Sequence, residues 1–289
     1  AAAVIATLAL TPTSQAQTTF FAQGNPNPWT DVNNWNSQPD GSGSNPTVIN
    51  GSGDIFSGNG NNVTIDTGTS ATETFDATLR LDGDSDELFL NSGSVSVTSF
   101  EATDNGNGIT GIRVDAVSSS TLTIGDSHIT GGLRFLNGGG AGDSLTTDFG
   151  TLTGDGGIIL LNAGVSGTIL ASGDTSGFTG RVALADGTLQ FDASGLGASL
   201  GIADFDAAIL RIDDNTGVSS NLIVDRDIYV DTLEIDSGSG FSAMTPGSYS
   251  GTALTNLTPN GSITDSGGTV FVGQTAPIPE PSAFALLAG

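Results

Sequence analysis

The chain has 289 residues, of which 43 are glycine and none is cysteine, and its formal net charge is −25 at pH 7. A surface this acidic repels phosphates and excludes a nucleic acid partner, and the lack of cysteine excludes a thiol nucleophile, an iron–sulfur site and disulfides. All six basic residues are arginine, which excludes a P-loop lysine and Schiff-base chemistry. Abundant turn residues between short apolar runs predict many short strands.

The N-terminal residues have the composition of an export leader. Residues 1–10 form an apolar run, and Ser14-Gln15-Ala16 is a small-x-small cleavage pattern. The segment resembles the second half of a secretory signal peptide, and the resemblance implies cleavage between Ala16 and Gln17. We therefore expect residues 1–16 to be a partial signal peptide outside the folded domain.

Residues 17–50 contain both tryptophans of the chain, Trp29 and Trp35, among many asparagines and prolines. A solenoid needs an end cap because its first coil otherwise exposes an apolar face, and two indoles could cover that coil. The segment resembles the Trp-containing opening of bacterial surface β-helix proteins. We predict an N-terminal cap here. The alternative is that exposed Trp29 and Trp35 stack on sugars.

The stretch DGDSDE places three aspartates at alternate positions, Asp82, Asp84 and Asp86. Alternate carboxylates could hold Ca²⁺, a hard cation that prefers oxygen ligands. The stretch is not an EF-hand, because Glu87 occupies the sixth loop position, where glycine is needed. Three aspartates in one turn also arise by chance in so acidic a chain. We predict no obligate cofactor and keep Ca²⁺ as the open alternative.

Two other patterns are weak as catalytic signals. Residues 106–111 fit Gly-x-Gly-x-x-Gly, but the strand-like IRVDAV follows where dinucleotide binding needs a helix. His128 is the only histidine, and no nucleophile elbow surrounds it. We therefore predict no catalytic residues, and keep a carbohydrate-active enzyme that uses paired carboxylates as an alternative.

From Leu133 onward a short unit recurs in which two apolar residues flank a polar one and Asp, Asn or Gly follows, and similar but less evenly spaced units before it extend the predicted body to residues 51–245. Six positions are aligned as equivalent and give a mean period of about 20 residues: Leu133, Leu152, Ile169, Leu189, Leu210 and Leu233. Such a period is typical of a solenoid, in which each repeat buries its apolar face by stacking on its neighbours. The alternative is a sandwich of antiparallel hairpins.

One unit is specific enough to suggest a family. Residues 172–192 contain the steps Phe178-Thr179-Gly180 and Gly187-Thr188-Leu189. They resemble the autotransporter-associated β-strand repeat, and the resemblance implies a right-handed parallel β-helix, or β-solenoid, outside the cell. Residues 246–275 then look like the closing edge coil of that body.

Residues 277–289 join a Pro-rich segment to an apolar stretch. Its prolines favour extended polyproline geometry, so the segment stays accessible to a processing enzyme. Pro279-Glu280-Pro281 and the apolar residues that follow resemble the sorting signal of PEP-CTERM proteins. The resemblance implies export by a Gram-negative bacterium, an exosortase-type enzyme as partner, and membrane contact only through this tail before processing.

Together these patterns predict an all-β, non-enzymatic protein at the outer surface or in the extracellular matrix. We expect a structural or adhesive β-solenoid, with exopolysaccharide as a candidate partner. The alternatives are a carbohydrate-active β-helix enzyme, either a polysaccharide lyase or a glycosidase, and a calcium-dependent sugar-binding module. Arginine and carboxylates that converge in an acidic cleft on one face of the rod would favour the enzyme.

Overall fold

In a computed structural model, the chain forms two long, mainly parallel β-sheets that enclose one apolar core. The structure describes residues 17–24, 27–29, 31–49, 53–61, 63–65, 72–83, 86–90, 93–103, 109–114, 120–137, 144–160, 166–171, 173–193, 199–217, 219–236 and 238–277. For most of the chain, successive strands alternate between the two sheets. The predicted β-solenoid is confirmed, and the antiparallel sandwich is excluded.

The first sheet has eleven strands. In spatial order they are β3 (Trp35–Asn36), β1 (Thr19–Ala22), β4 (Ile55–Ser57), β6 (Thr72–Leu81), β8 (Gly93–Ala102), β10 (Ser120–Ile129), β12 (Ser144–Thr153), β14 (Ser166–Ala171), β16 (Thr188–Phe191), β18 (Asn221–Val224) and β22 (Ile263–Asp265). The pairings from β1 to β22 are all parallel, whereas β3 pairs antiparallel with β1 at the edge.

The second sheet has twelve strands. They are β2 (Asn27–Pro28), β5 (Val63–Ile65), β7 (Glu87–Leu90), β9 (Ile109–Val114), β11 (Gly132–Asn137), β13 (Gly157–Leu160), β15 (Arg181–Leu184), β17 (Ala203–Asp213), β19 (Ile228–Asp236), β23 (Thr269–Val272), β21 (Gly247–Ser250) and β20 (Phe241–Ala243). Only β20 and β21 are antiparallel to their neighbours, β19 and β23. Strand β9 begins at Ile109, inside the Gly-rich stretch at 106–111, so a strand occupies the position where dinucleotide binding needs a helix.

The core consists of ladders in which equivalent inward residues stack from strand to strand. In the first sheet Phe75 pairs with Val97, Val97 with Ile124, and Ile124 with Phe149, and all four are buried. Alternation within each strand places one apolar side chain in each ladder and its neighbours outside. Burying a side chain of this kind contributes about 1.5–3 kcal/mol. The ladders are therefore the main source of stability for a chain without disulfides.

The predicted repeat alignment is wrong, because it mixes the two sheets. The six aligned residues divide into three of the second sheet (Leu133, Leu210, Leu233) and three of the first (Leu152, Ile169, Leu189). The true equivalents in the second sheet are 23 to 28 residues apart: Leu133, Ile158, Val182, Leu210 and Leu233. Strands of both sheets show the same apolar alternation, so the sequence pattern alone cannot separate them.

Different elements close the two ends of the core. At the N-terminal end, a 3₁₀ turn, Val32–Asn34, leads into β3, which covers the edge of β1. At the other end lies helix α1 (Gly251–Leu257), which contacts β22 and β21. The Ser250 hydroxyl caps this helix by accepting a hydrogen bond from the Ala253 amide at 3.2 Å. Its buried Leu254 covers the last coil.

Candidate functional site

A groove of about 530 Å³ lies on the outer face of the first sheet, and we name it the hydroxyl groove after the Ser and Thr side chains in its lining. Its walls are Ser96 and Thr98 of β8, Thr123 and Asp126 of β10, and Thr151 of β12. The groove therefore crosses three neighbouring strands. It is open along its length, unlike the pockets that enclose most of a small ligand. Its shape suits an extended polymer.

Stacked glycines form the floor of the hydroxyl groove. A Cβ atom on Gly125 would lie 2.4 Å from the carbonyl oxygen of Thr98, and one on Gly150 would lie 2.0 Å from that of Gly125. On Gly173 it would lie 1.8 Å from the carbonyl oxygen of Gly150. Only glycine lets the coils approach this closely. From the sequence alone, glycine in general is expected as a turn residue, and this groove is not predicted.

Hydrogen bonds between coils hold the rim of the groove. Thr98 Oγ1 donates to Asp76 Oδ1 at 3.1 Å, and Thr151 Oγ1 donates to Asp126 Oδ1. Hydroxyl oxygens keep lone pairs after donating, and carboxylates accept only, so Thr98, Thr151 and Asp126 can still accept hydrogen bonds from a ligand. Acceptors on this rim suit a ligand with many hydroxyl donors, such as a polysaccharide.

The only histidine, His128, does not activate a hydroxyl nucleophile through its described contacts. It lies exposed on β10, with Nδ1 3.0 Å from Thr153 Oγ1. Thr153 Oγ1 donates its proton to the Ser127 carbonyl at 2.9 Å. The Nδ1 atom is therefore the donor to Thr153, which is the reverse of what a general base would require.

Both tryptophans lie inside the core at the N-terminal end, as an end cap requires. Trp29 and Trp35 are fully buried, and their rings meet edge to face with centroids 5.4 Å apart. Trp29 also packs on Phe75, and the Trp35 indole donates to the Trp29 carbonyl at 3.0 Å. The alternative role in sugar stacking is wrong, because neither ring presents a face to solvent.

Two of the three aspartates considered for calcium hold the corner between β6 and β7, and Asp84 lies outside the described residues. The Asp86 carboxylate accepts hydrogen bonds from the Asp82 and Gly83 amides, both at 2.8 Å, and Asp82 accepts one from Ser57 Oγ at 2.8 Å. Burial raises the pKa of Asp86. Among the described residues, no three acidic or histidine side chains gather as a metal site. Calcium binding here stays a prediction.

An acidic cluster that the sequence analysis missed lies beside β17. Asp204 and Asp206 share one face of this strand by alternation. Burial, followed by the negative charges of Asp206 and Asp174, raises the pKa of Asp204. Such a carboxyl can act as a general acid, but glycoside hydrolysis needs two carboxyl groups flanking the bond. Asp204 and Asp206 point to the same side of one strand.

The export and sorting residues lie at the ends of the chain. Ala16 and the sorting residues Pro279, Glu280 and Pro281 are outside the described residues, whereas Gln17 is described and exposed. The last described segment packs on the body through Ala276, which is buried in a cluster with Tyr229 and Ile202.

No helix in the described part of the chain is long and apolar enough to span a membrane. Comparison with family models, curated proteins and solved structures finds no match in any of the three. The function is therefore inferred from the fold and from the chemistry of the surface.

Proposed function

We propose that this chain is an exported structural or adhesive β-solenoid of the outer surface or extracellular matrix of a Gram-negative bacterium. An exosortase-type enzyme would process its tail at Pro279-Glu280-Pro281. One observation carries the adhesive role: two continuous stacks of parallel strands share a single core, and the hydroxyl groove crosses one of them. Ten parallel strands about 4.8 Å apart make each stack roughly 45 Å long.

The net charge and the short edge strands support a role as a rod that does not associate with other copies. A net charge of −25 opposes association between copies, and the two- and three-residue edge strands β3 and β22 leave little open edge. A long polymer could then contact several coils at once. Repeated weak contacts of this kind produce avidity without a deep pocket.

Incubation of the purified chain with acidic and neutral polysaccharides tests the adhesive role. We expect co-sedimentation without release of new reducing ends, and weaker binding for Thr123→Val in the hydroxyl groove. Thr269→Val is the matched control, because Thr269 lies on β23 of the second sheet. Bond cleavage would refute the proposal and favour the enzyme. Binding that EGTA abolishes and Ca²⁺ restores would favour the calcium-dependent module.

Cell fractionation tests the sorting step separately. In a Gram-negative host with an exosortase, we expect the native chain at the surface or in the matrix and Glu280→Ala retained in the membrane fraction. Ser282→Ala, just outside the motif, serves as the control. An identical distribution of Glu280→Ala and the native chain would contradict processing at this motif.

A further inference from the structure

Three of the six arginines are neutralised by acidic partners. These are Arg80 with Glu101 at 2.6 Å, Arg211 with Glu234, and Arg226 with Asp192 at 2.6 Å and Asp225 at 3.1 Å. Arg134 and Arg181 differ, because neither forms an ion pair or a hydrogen bond with any described residue, and the Nε atom of each is buried without a partner. Two unpaired cations are unexpected in a chain with 31 acidic residues.

Arg134 and Arg181 lie on the same outer face of the second sheet. Their neighbours Leu133 and Val182 point into the core, so alternation turns both arginines outward. Arg134 pairs with Ile159 and Arg181 pairs with Gly157, which places β13 between them. The two arginines therefore lie on either side of β13, offset from each other by two residues along that strand.

Gly157 leaves a shallow notch between these two arginines. A Cβ atom there would meet the Ile159 side chain at 3.9 Å and the Arg181 carbonyl oxygen at 4.0 Å, which are ordinary van der Waals distances, so glycine leaves a gap about the size of one methyl group. Ile159, which is half-buried, borders the notch with an apolar surface. We call Arg134, Gly157, Ile159 and Arg181 the arginine facet. It combines two forked donors with a small apolar patch on a flat face.

The electrostatics favour an external anion at the arginine facet. Burial lowers the pKa of Arg134, yet guanidinium remains charged at any physiological pH. A partly buried cation without a partner is unfavourable, and a carboxylate that accepts two hydrogen bonds from the planar fork would remove that cost. The residues around the notch provide no such acceptor among the described contacts.

We propose that Arg134 and Arg181 bind carboxylates of an acidic polysaccharide that crosses β13, with Ile159 contacting its sugar rings. This inference rests on the proposed adhesive function and adds a second contact surface, on the sheet opposite the hydroxyl groove. The two arginines stand two strands apart, about 10 Å along the stack, which fits a polymer that carries repeated charges. The net charge of −25 repels a second copy and a polyanion alike, so the attraction has to come from the two arginines themselves.

Binding of the purified full chain to polygalacturonate, measured by calorimetry, tests the arginine facet. The matched ligand is carboxyl-reduced polygalacturonate, which keeps the backbone and loses the charge. We expect the native chain to prefer the charged polymer, and Arg134→Gln or Arg181→Gln to weaken that binding about tenfold or more. Arg80→Gln is the matched control, since it removes the same charge from a paired arginine on the other sheet.

The outcomes separate this inference from the proposed function. If the native chain binds both polymers equally and the arginine substitutions change neither affinity, the role of the arginine facet is refuted while the adhesive function remains supported. If the native chain binds no polysaccharide at all, both the carboxylate assignment and the proposed adhesive function are overturned. A preference for dextran sulfate over polygalacturonate, or self-association lost in Arg134→Gln, would assign the facet to another anion and overturn the carboxylate assignment. Arg134→Lys, which keeps the charge without the fork, should bind between the native chain and Arg134→Gln.

Discussion

Substitution of Gly150 by alanine tests whether the glycine floor sets the spacing of the coils. The new Cβ atom would lie 2.0 Å from the Gly125 carbonyl oxygen and 3.1 Å from that of Ile124. Both contacts are with backbone, so no side chain can move aside, and the coils must separate by roughly an ångström. Overpacking costs about 1–3 kcal/mol, and each weakened interstrand hydrogen bond adds about 0.5–1.5 kcal/mol. We expect Gly150→Ala to lower the free energy of unfolding by roughly 3 kcal/mol.

Urea unfolding followed by far-UV circular dichroism measures this loss. Gly157→Ala is the control, because Gly157 also lies in a strand with ordinary φ but its Cβ atom would have room. That substitution should be neutral, or stabilising by about 0.4–1 kcal/mol through the unfolded chain. Tryptophan fluorescence adds a local probe, since Trp29 and Trp35 report on the N-terminal end. Equal unfolding midpoints for the two variants would refute the steric role of the floor.

Substitutions at four further residues test the ends and the charges of the solenoid. Trp35→Ala should lower the free energy of unfolding by about 3–5 kcal/mol and Trp35→Phe by less, and equal losses in urea unfolding would contradict a packing role for the ring. Leu254→Ala should open the C-terminal end first, seen as faster hydrogen exchange in β22 than in β10, and uniform exchange would argue against a lid. Because the pKa of Asp204 is raised by burial and by neighbouring acids, its charged form opposes folding. Asp204→Asn should therefore stabilise the protein at pH 7 by a few tenths of a kcal/mol, and the gain should vanish as the pH falls through that raised pKa. Asp236→Asn should have the opposite sign at pH 7, because hydrogen bonds led by the Gly238 amide lower the pKa of Asp236, and its contribution is lost as the pH falls through that lowered value. The same sign for both variants in pH-dependent unfolding would contradict this assignment.

The sequence was sufficient for the strands and for their parallel stacking, but not for the length of a coil. Leu152 and Ile158 have the same local pattern, and only the pairing shows that they belong to different sheets. Helix α1 could not be predicted, because its Gly, Thr and Asn residues have weak helix propensity. Leu254 forms part of a helix because the open end of the core needs a cover.

The hydroxyl groove and the arginine facet depend on the register between neighbouring strands, and this register cannot be derived from amino-acid composition. Ser96 and Thr123 are distant in sequence and become neighbours only when β8 pairs with β10. In the same way, the arginines looked dispersed along the chain, and the stacking of β11, β13 and β15 brings Arg134 and Arg181 to one face. The burial of Trp29 and Trp35 was one of two expectations, and packing against Phe56 and Phe75 decided between them.

The ladders also make the length of the protein easy to change. Leu122 pairs with Thr147 in the first sheet and Leu133 with Ile158 in the second, so both sheets repeat here after the same 25 residues. Duplicating or deleting one such block would add or remove a whole coil and keep both pairings in step. Each duplication would move the two closed ends about 4.8 Å further apart. Duplication within the gene can therefore change the length of the rod, while the existing core ladders and the two end caps stay the same.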